Sequence, residues 1–442
     1  MTSAIEAFAG FIHKTAWNDL SPAVQREAQR AMLNFVGCAI GGAHEPATLA
    51  ALKGSAAGAI PVLGRTERLD AQAAALVNCT SSAALTFDDT HLTTITHPTG
   101  PRRRRAAFLR AWPRCYVARL PARAGAGDRD RMPPRLRARR RTCEGQPRLV
   151  RHRPHRRRRA AAAIGKLMRL PAEQIGWALG LGAMQAAGTR ASHGSLAIAL
   201  VPGFAARNGV AAAQLAEAGI SCGPWRDRRA PRPARSHRAG NGRISAHTRS
   251  RRRVGIHEQR LKPYPCGIVI HPSIDACLAL RAAGVAADAI DRVELDVQAD
   301  TLTLCWRKLP QNELDAQVSL FHWAAAALVF GKAGVEQGRL GAINNTQVRS
   351  LQARMEARAD PALARDQARV RIFLKDGSMR ESFIEHAIGS IARPMTDQQL
   401  ADKFTALCTP MLGAPRTAHL LAICGKPPLD QPVAGLFTDA TP

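Results

Sequence analysis

The chain has 442 residues, 46% of them apolar, enough to bury a large core divided over two or three domains. Aromatics make up only 5%, so Ala, Leu and Gly must fill that core, and no uninterrupted apolar run reaches the roughly 18 residues of a membrane span. A net charge of +29 invites a nucleic-acid reading, which depends on where the charge sits.

It sits in two windows. Residues 101 to 159 hold 22 Arg, no Lys and three acids, residues 223 to 253 hold 11 Arg, no Lys and one acid, and the remainder carries 30 residues of each sign. Natural basic arms mix Lys with Arg and sit at termini or in linkers. Aromatic interleaving is sparse in both windows (Phe108, Trp112, Tyr116, Trp225), and zinc-finger and RNP spacings are absent, which argues against nucleic acid as a partner. A shifted reading frame explains the composition better. Arg codons of the CGN type read one base later become GNC, which encodes Gly, Ala, Val or Asp, so residues 101–159 and 223–255 are expected to be out of frame.

No N-terminal stretch joins a basic patch to an apolar run and a small-residue cleavage site, so a soluble, cytoplasmic protein is expected. The ten cysteines form no C-x-x-C pair, which predicts reduced thiols with neither a zinc site nor a disulfide framework.

In chain order, Ser21-Pro22 opens a helix that runs to about Ile40 and stops at Gly41-Gly42. Residues 46 to 58 read as a second helix, Val62-Leu63-Gly64 as an extended link, and Asp70 to about Leu85 as a third helix. That helix delivers Phe87-Asp88-Asp89-Thr90-His91 and, six residues on, His97-Pro98-Thr99-Gly100. Two adjacent carboxylates and two imidazoles on a turn closed by Pro98 and Gly100 suit acid–base chemistry, although Asp-Asp-Thr after a helix also serves as a solvated cap. Helical pattern resumes at Ala160, again from Pro171 to Ala187, and again from Pro202; the polar loop 188–195 between the last two carries Arg190.

Lys262 precedes Pro263-Tyr264-Pro265, a segment too stiff for helix, which holds its ammonium on a backbone with few alternatives. From about residue 273 the period changes. Ser273 to Ala282 reads as helix, Val293, Leu295 and Val297 alternate with polar residues as a half-buried strand, and Leu320 to Phe330 is a helix carrying His322. Val370, Ile372 and Leu374 lead through Asp376-Gly377 to a return strand containing Phe383, a hairpin pattern. Thr396 to Gln399 is a capping box launching a helix to Cys408, and a last helix spans Arg416 to Ile423.

Asn78-Cys79-Thr80-Ser81-Ser82 followed by FDDTH and HPTGP, the Pro202 to Val210 segment and the KPYP lysine together resemble the MmgE/PrpD family, the 2-methylcitrate dehydratase family. The resemblance implies a mainly α protein: a large multihelical domain (1–262), a smaller α+β lid domain (263–395), and C-terminal helices (396–442) that return to the first. It implies a lyase needing neither metal nor organic cofactor, acting on a small di- or tricarboxylate, as a homodimer; the lack of a long apolar run adds that no membrane partner is expected. It matches Asp88, Asp89, Thr90, His97 and Lys262 to the family's motifs and puts His322 where the family places a polar ring. Chemistry adds His91 as a second imidazole for proton transfer and Arg190 as a cation for carboxylates, so His97, Asp88, Asp89 and His91 are the candidate catalytic residues and Thr90, Arg190, Lys262 and His322 the candidate substrate-binding ones. The chain departs from the pattern where the family commonly has His and Asp, here Ala83 and Thr86, and where many members have Lys and His, here Ile198 and Val201. Those departures leave dehydration, epimerisation of a substituted succinate, and an inactive family member as open readings.

Overall fold

The computed structural model describes residues 4–90, 155–185, 194–223, 260–425 and 440–441, and the protein is mainly α. Its first part comprises α1 (Ala4–Lys14), α2 (Pro22–Gly41), α3 (Pro46–Lys53), a short antiparallel pair β1 (Ala57–Pro61) and β2 (Arg68–Leu69), and α4 (Ala71–Ala84). Next come α5 (His155–Leu167), α6 (Ala172–Met184) and α7 (Ala197–Glu217). Beyond Arg260 lie α8 (His271–Ala282), β3 (Ile290–Val297), α9 (Ala299–Leu304), α10 (Glu313–Ala316), α11 (Leu320–Phe330), α12 (Leu340–Ile343), α13 (Thr346–Ala353), β4 (Met355–Ala359), β5 (Ala368–Leu374) and β6 (Met379–Ile384). Two helices close the order, α14 (Asp397–Leu412) and α15 (Ala414–Gly425).

Capping chemistry sets several of these boundaries. The Asp70 carboxylate accepts from the Gln72 and Ala73 amides and starts α4, and Thr396 with Gln399 forms the reciprocal capping box of α14. Ser21 occupies the N-cap position of α2 without a side-chain cap bond, so Pro22 at the first helical position carries that start. The helix predicted over 46 to 58 ends at Lys53, because Gly58 lies against the β2 end: a Cβ there would stand 2.5 Å from the Asp70 amide nitrogen. Val62 to Gly64 is a turn rather than an extended link, with the Val62 amide donating to Glu67 O at 3.0 Å and Gly64 at φ +74°. Helix α7 begins five residues before its predicted start at Pro202, which it carries inside.

The core lies in several clusters. Met32, Phe35, Val36 and Ile40 of α2 meet Leu400, Phe404 and Leu407 of α14 and Leu420 of α15 in one of them. This packing is close enough that a Cβ on Gly37 would stand 2.9 Å from the Phe404 ring and one on Gly41 2.6 Å from Leu407. A second cluster lies between helices and a four-stranded sheet of order β4-β3-β5-β6, with β3 and β4 parallel and the other neighbours antiparallel. Val293, Leu295 and Val297 face α8 and α11 there, while Glu294 and Asp296 on the other face pair with Arg371. Among the described residues no helix is long and apolar enough to cross a membrane.

Helices α5 and α7 approach backbone to backbone at Gly209, where a Cβ would stand 1.9 Å from Ala160 Cβ and 2.8 Å from its carbonyl carbon. Overpacking of this kind has no flexible side chain to move aside, so Gly209→Ala is expected to cost about 1–3 kcal/mol by urea unfolding. Gly10→Ala in α1, with nothing within 4 Å, is expected to be neutral or to stabilise by up to about 1 kcal/mol. Equal midpoints for the two variants would contradict the packing of α5 on α7.

Candidate active site

The end of α4 turns into the acid loop through a strained residue. Thr86 sits at φ +52°, a region a β-branched side chain enters only when its surroundings hold it there, at a cost of order 1–3 kcal/mol. Its restraints are visible. The Lys262 ammonium donates to the Thr86 carbonyl at 2.8 Å, the Thr86 hydroxyl donates to Gln317 Oε1 at 2.6 Å, and the Gln317 amide donates back to the Ala84 carbonyl at 3.1 Å.

Beyond Thr86 the loop is buried. Phe87 and Asp88 are each 5% exposed, Asp89 0% and Thr90 5%. Thr90 and Arg260 exchange both backbone hydrogen bonds at 2.9 Å, which ties the loop to the strand leading into Lys262. The Thr90 hydroxyl has no hydrogen-bond partner among the described residues. Asp88, Asp89 and Thr90 thus lie on a buried loop whose backbone is bonded at one end by the Lys262 side chain, through Thr86, and at the other by Arg260.

A second ammonium, absent from the sequence reading of the site, lies beneath them. Lys403 of α14 is buried and donates to the Asn34 side-chain carbonyl at 2.7 Å, the Phe87 carbonyl at 2.7 Å and the Lys262 carbonyl at 2.9 Å, with the Phe87 ring centroid 3.8 Å away. Burial lowers its pKa, while the neighbouring charges of Asp88 and Asp89 favour its charged form. The signal was present in the sequence: Leu400, Phe404 and Leu407 make an apolar stripe, and Lys403 falls on it.

The lysine strand is braced from its other side. The Tyr264 hydroxyl donates to Asp275 at 2.5 Å, and the second oxygen of that carboxylate accepts from the Ile388 amide at 2.7 Å. Gly389, at φ +82°, passes so near the strand that a Cβ would stand 2.1 Å from Leu261 O. His271 packs edge-on against Tyr264, with ring centroids 5.3 Å apart. The Cys38 thiol also points at Phe87 O, at 3.4 Å; burial pushes its pKa up to about 11, so it stays protonated and is no nucleophile.

Of the other four predicted site residues, only His322 is among the described residues. His322 is fully buried in α11 with one ring nitrogen on the Gln337 carbonyl at 2.7 Å, and its hydrogen bonds and ring contact involve neither the acid loop nor Lys262. His91, His97 and Arg190 lie outside the described residues. Among the described residues no three His, Cys, Asp or Glu side chains stand together as a metal site.

Family models match most of this chain. The MmgE/PrpD N-terminal domain matches residues 6–102 and 146–225, and the MmgE/PrpD C-terminal domain matches residues 264–424. The chain belongs to the MmgE/PrpD family. No curated protein matches it. The matched ranges omit 103–145 and 226–263, which fall largely within the two Arg-rich windows; residues 146–159, assigned by composition to the first window, are matched.

His271 and His322 make the fold sensitive to acid. Burial, and for His271 also the charge of Lys262, holds both imidazoles below their usual pKa of 6.5. The unfolded chain therefore takes up protons below about pH 6.5 that the folded chain refuses, so stability falls as pH drops from there towards the folded pKa values. The expected slope is about 1.4 kcal/mol per pH unit for each imidazole. Urea midpoints of wild type and His271→Gln between pH 7.5 and 5 check this: the variant is expected to show the shallower dependence, and identical slopes would count against it.

Proposed function

We propose that the protein is a cofactor-independent lyase that removes water from a small di- or tricarboxylate such as 2-methylcitrate. Supporting this reading, beyond family membership, is one observation: two adjacent buried carboxylates and a hydroxyl with no partner among the described residues lie on a loop whose backbone carbonyls are held by two buried ammonium groups. In the step proposed, a base takes the proton from the carbon beside a substrate carboxylate, the electron pair forms the double bond, and the hydroxyl on the neighbouring carbon departs as water after gaining a proton. His97 is the residue proposed to shuttle the proton, with His91 as a second candidate. Asp88 and Asp89 orient the imidazole and the leaving hydroxyl.

Charge shapes the rest of the reading. Lys262 and Lys403 offset Asp88 and Asp89, so a polyanion needs further cations, and Arg190 takes that role with Thr90 as a neutral donor. The α+β part, residues 263–395, closes on the helices as a lid, and His322, bonded to the Gln337 carbonyl within it, is left out of the proposed step. The working form is read as a cytoplasmic homodimer. Residues 103–145 and 226–255 are read as products of a shifted frame, in keeping with the interruptions of the family match. Resequencing the coding DNA checks this, and a single intact frame of CGN codons there would end it.

One observation favours a second reading. Thr86 stands where the family commonly has Asp, and its hydroxyl is committed to Gln317, which removes one group that could protonate departing hydroxide. Epimerisation of a substituted succinate needs only proton removal and return at one carbon. Incubation with 2-methylcitrate, citrate and substituted succinates in deuterated buffer separates the readings. Dehydration is expected to give an ultraviolet-absorbing unsaturated acid, reduced about 100-fold or more in His97→Ala. Deuterium entry without unsaturation would replace the lyase reading by the epimerase one, and neither signal would mark an inactive family member.

A further inference from the structure

We propose that Lys403, in the C-terminal helix α14, is the positioning residue of this site, setting the acid loop and the lysine strand with a single buried cation. The inference rests on the reading that Asp88, Asp89 and Lys262 form a substrate site. An ammonium has three protons to donate, and here they meet three acceptors from three separate parts of the chain: Asn34 of α2, Phe87 of the acid loop and Lys262 of the strand. Two of those acceptors are main-chain carbonyls, one immediately before Asp88 and the other belonging to Lys262 itself. A shift of the ammonium therefore moves the carboxylates and the substrate lysine together.

The cost of this arrangement points to a role beyond packing. Position 403 lies on an apolar stripe beside Leu400, Phe404 and Leu407, where Met or Leu would fill the same space without the several kcal/mol needed to desolvate an ion. Burial lowers the pKa of this ammonium, and the Phe87 ring 3.8 Å away and the carboxylates of Asp88 and Asp89 act in the opposite direction, favouring its charged form. Catalysis by Lys403 is not implied, because its three donors are taken by protein acceptors. Its effect passes through Phe87 and Lys262, and α14 is itself fixed to α2 by the Arg30 and Arg26 pairs with Asp397.

Amide hydrogen exchange reads the positioning without reference to activity. Lys403→Met is expected to speed exchange at the Thr90 and Arg260 amides about tenfold or more while leaving Leu295 and Val370 of the sheet near wild type, and Lys403→Arg is expected to restore part of the protection. With 2-methylcitrate as the probe, Lys403→Met is expected to lower kcat/KM about tenfold or more, with partial recovery in Lys403→Arg. Should Lys403→Met fail to fold, Asn34→Ala, which removes one acceptor and leaves the loop untouched, is expected to show the same local acceleration. Wild-type protection at Thr90 and Arg260 in a folded variant, or acceleration spread evenly over the sheet, overturns the proposal. A wild type inert towards the probe would sink the functional reading alone, since the exchange result stands without turnover.

Discussion

Two ammonium groups buried under one loop are the constraint on which the rest of this molecule turns. A charge withdrawn from water is tolerated only when its protons are taken by acceptors and its field is met by opposite charge. Lys403 meets both conditions, with three acceptors and two carboxylates nearby, and Lys262 caps the carbonyl of a residue held in a left-handed backbone conformation. The loop from Thr86 to Thr90 thus has its backbone fixed at Thr86, at Phe87 and at Thr90.

That fixing depends on segments far apart in the chain. Asn34 comes from α2, Lys403 from α14, Gln317 from the turn before α11, and Asp275 and Ile388 brace the strand from the sheet side. The close approach of α14 to α2 at Gly37 and Gly41 is therefore more than core filling: it sets the depth at which the Lys403 ammonium arrives under the loop. Local strain at Thr86 is maintained by this surrounding structure, as expected where backbone geometry serves a site.

Much of the fold was legible because its signals are local. Ser319 caps α11 and Gly331 ends it at φ +64°, so Leu320 to Phe330 could be read to the residue, and the Thr396 capping box and the Asp376-Gly377 turn were equally explicit. Elements defined by distant partners were not. Strand β1 exists through its pairing with β2, and β4 through a parallel pairing with β3 across more than fifty residues of chain. Helix α1 went unread although Ile5, Phe8, Ala9 and Ile12 repeat at helical spacing; Ala9 and Ile12 are buried in one cluster and Ile5 and Phe8 pack against it. For the site, the acid loop and Lys262 were visible as motifs. Gln317 and Asn34 were not, because a side chain that acts on another segment's carbonyl leaves no local pattern; Lys403 left one trace, a charge on the apolar stripe of α14, which does not say what the charge meets.

The central claim is that Asp88, Asp89, Thr90 and Lys262 form a pocket floor for an organic polyanion. A crystal structure with tricarballylate, a tricarboxylate with no hydroxyl to lose, tests it most directly. A carboxylate of the ligand within hydrogen-bond reach of the Thr90 hydroxyl and the Lys262 ammonium is the expected result. Tricarballylate seated elsewhere, with those two groups untouched at saturating concentration, would contradict it.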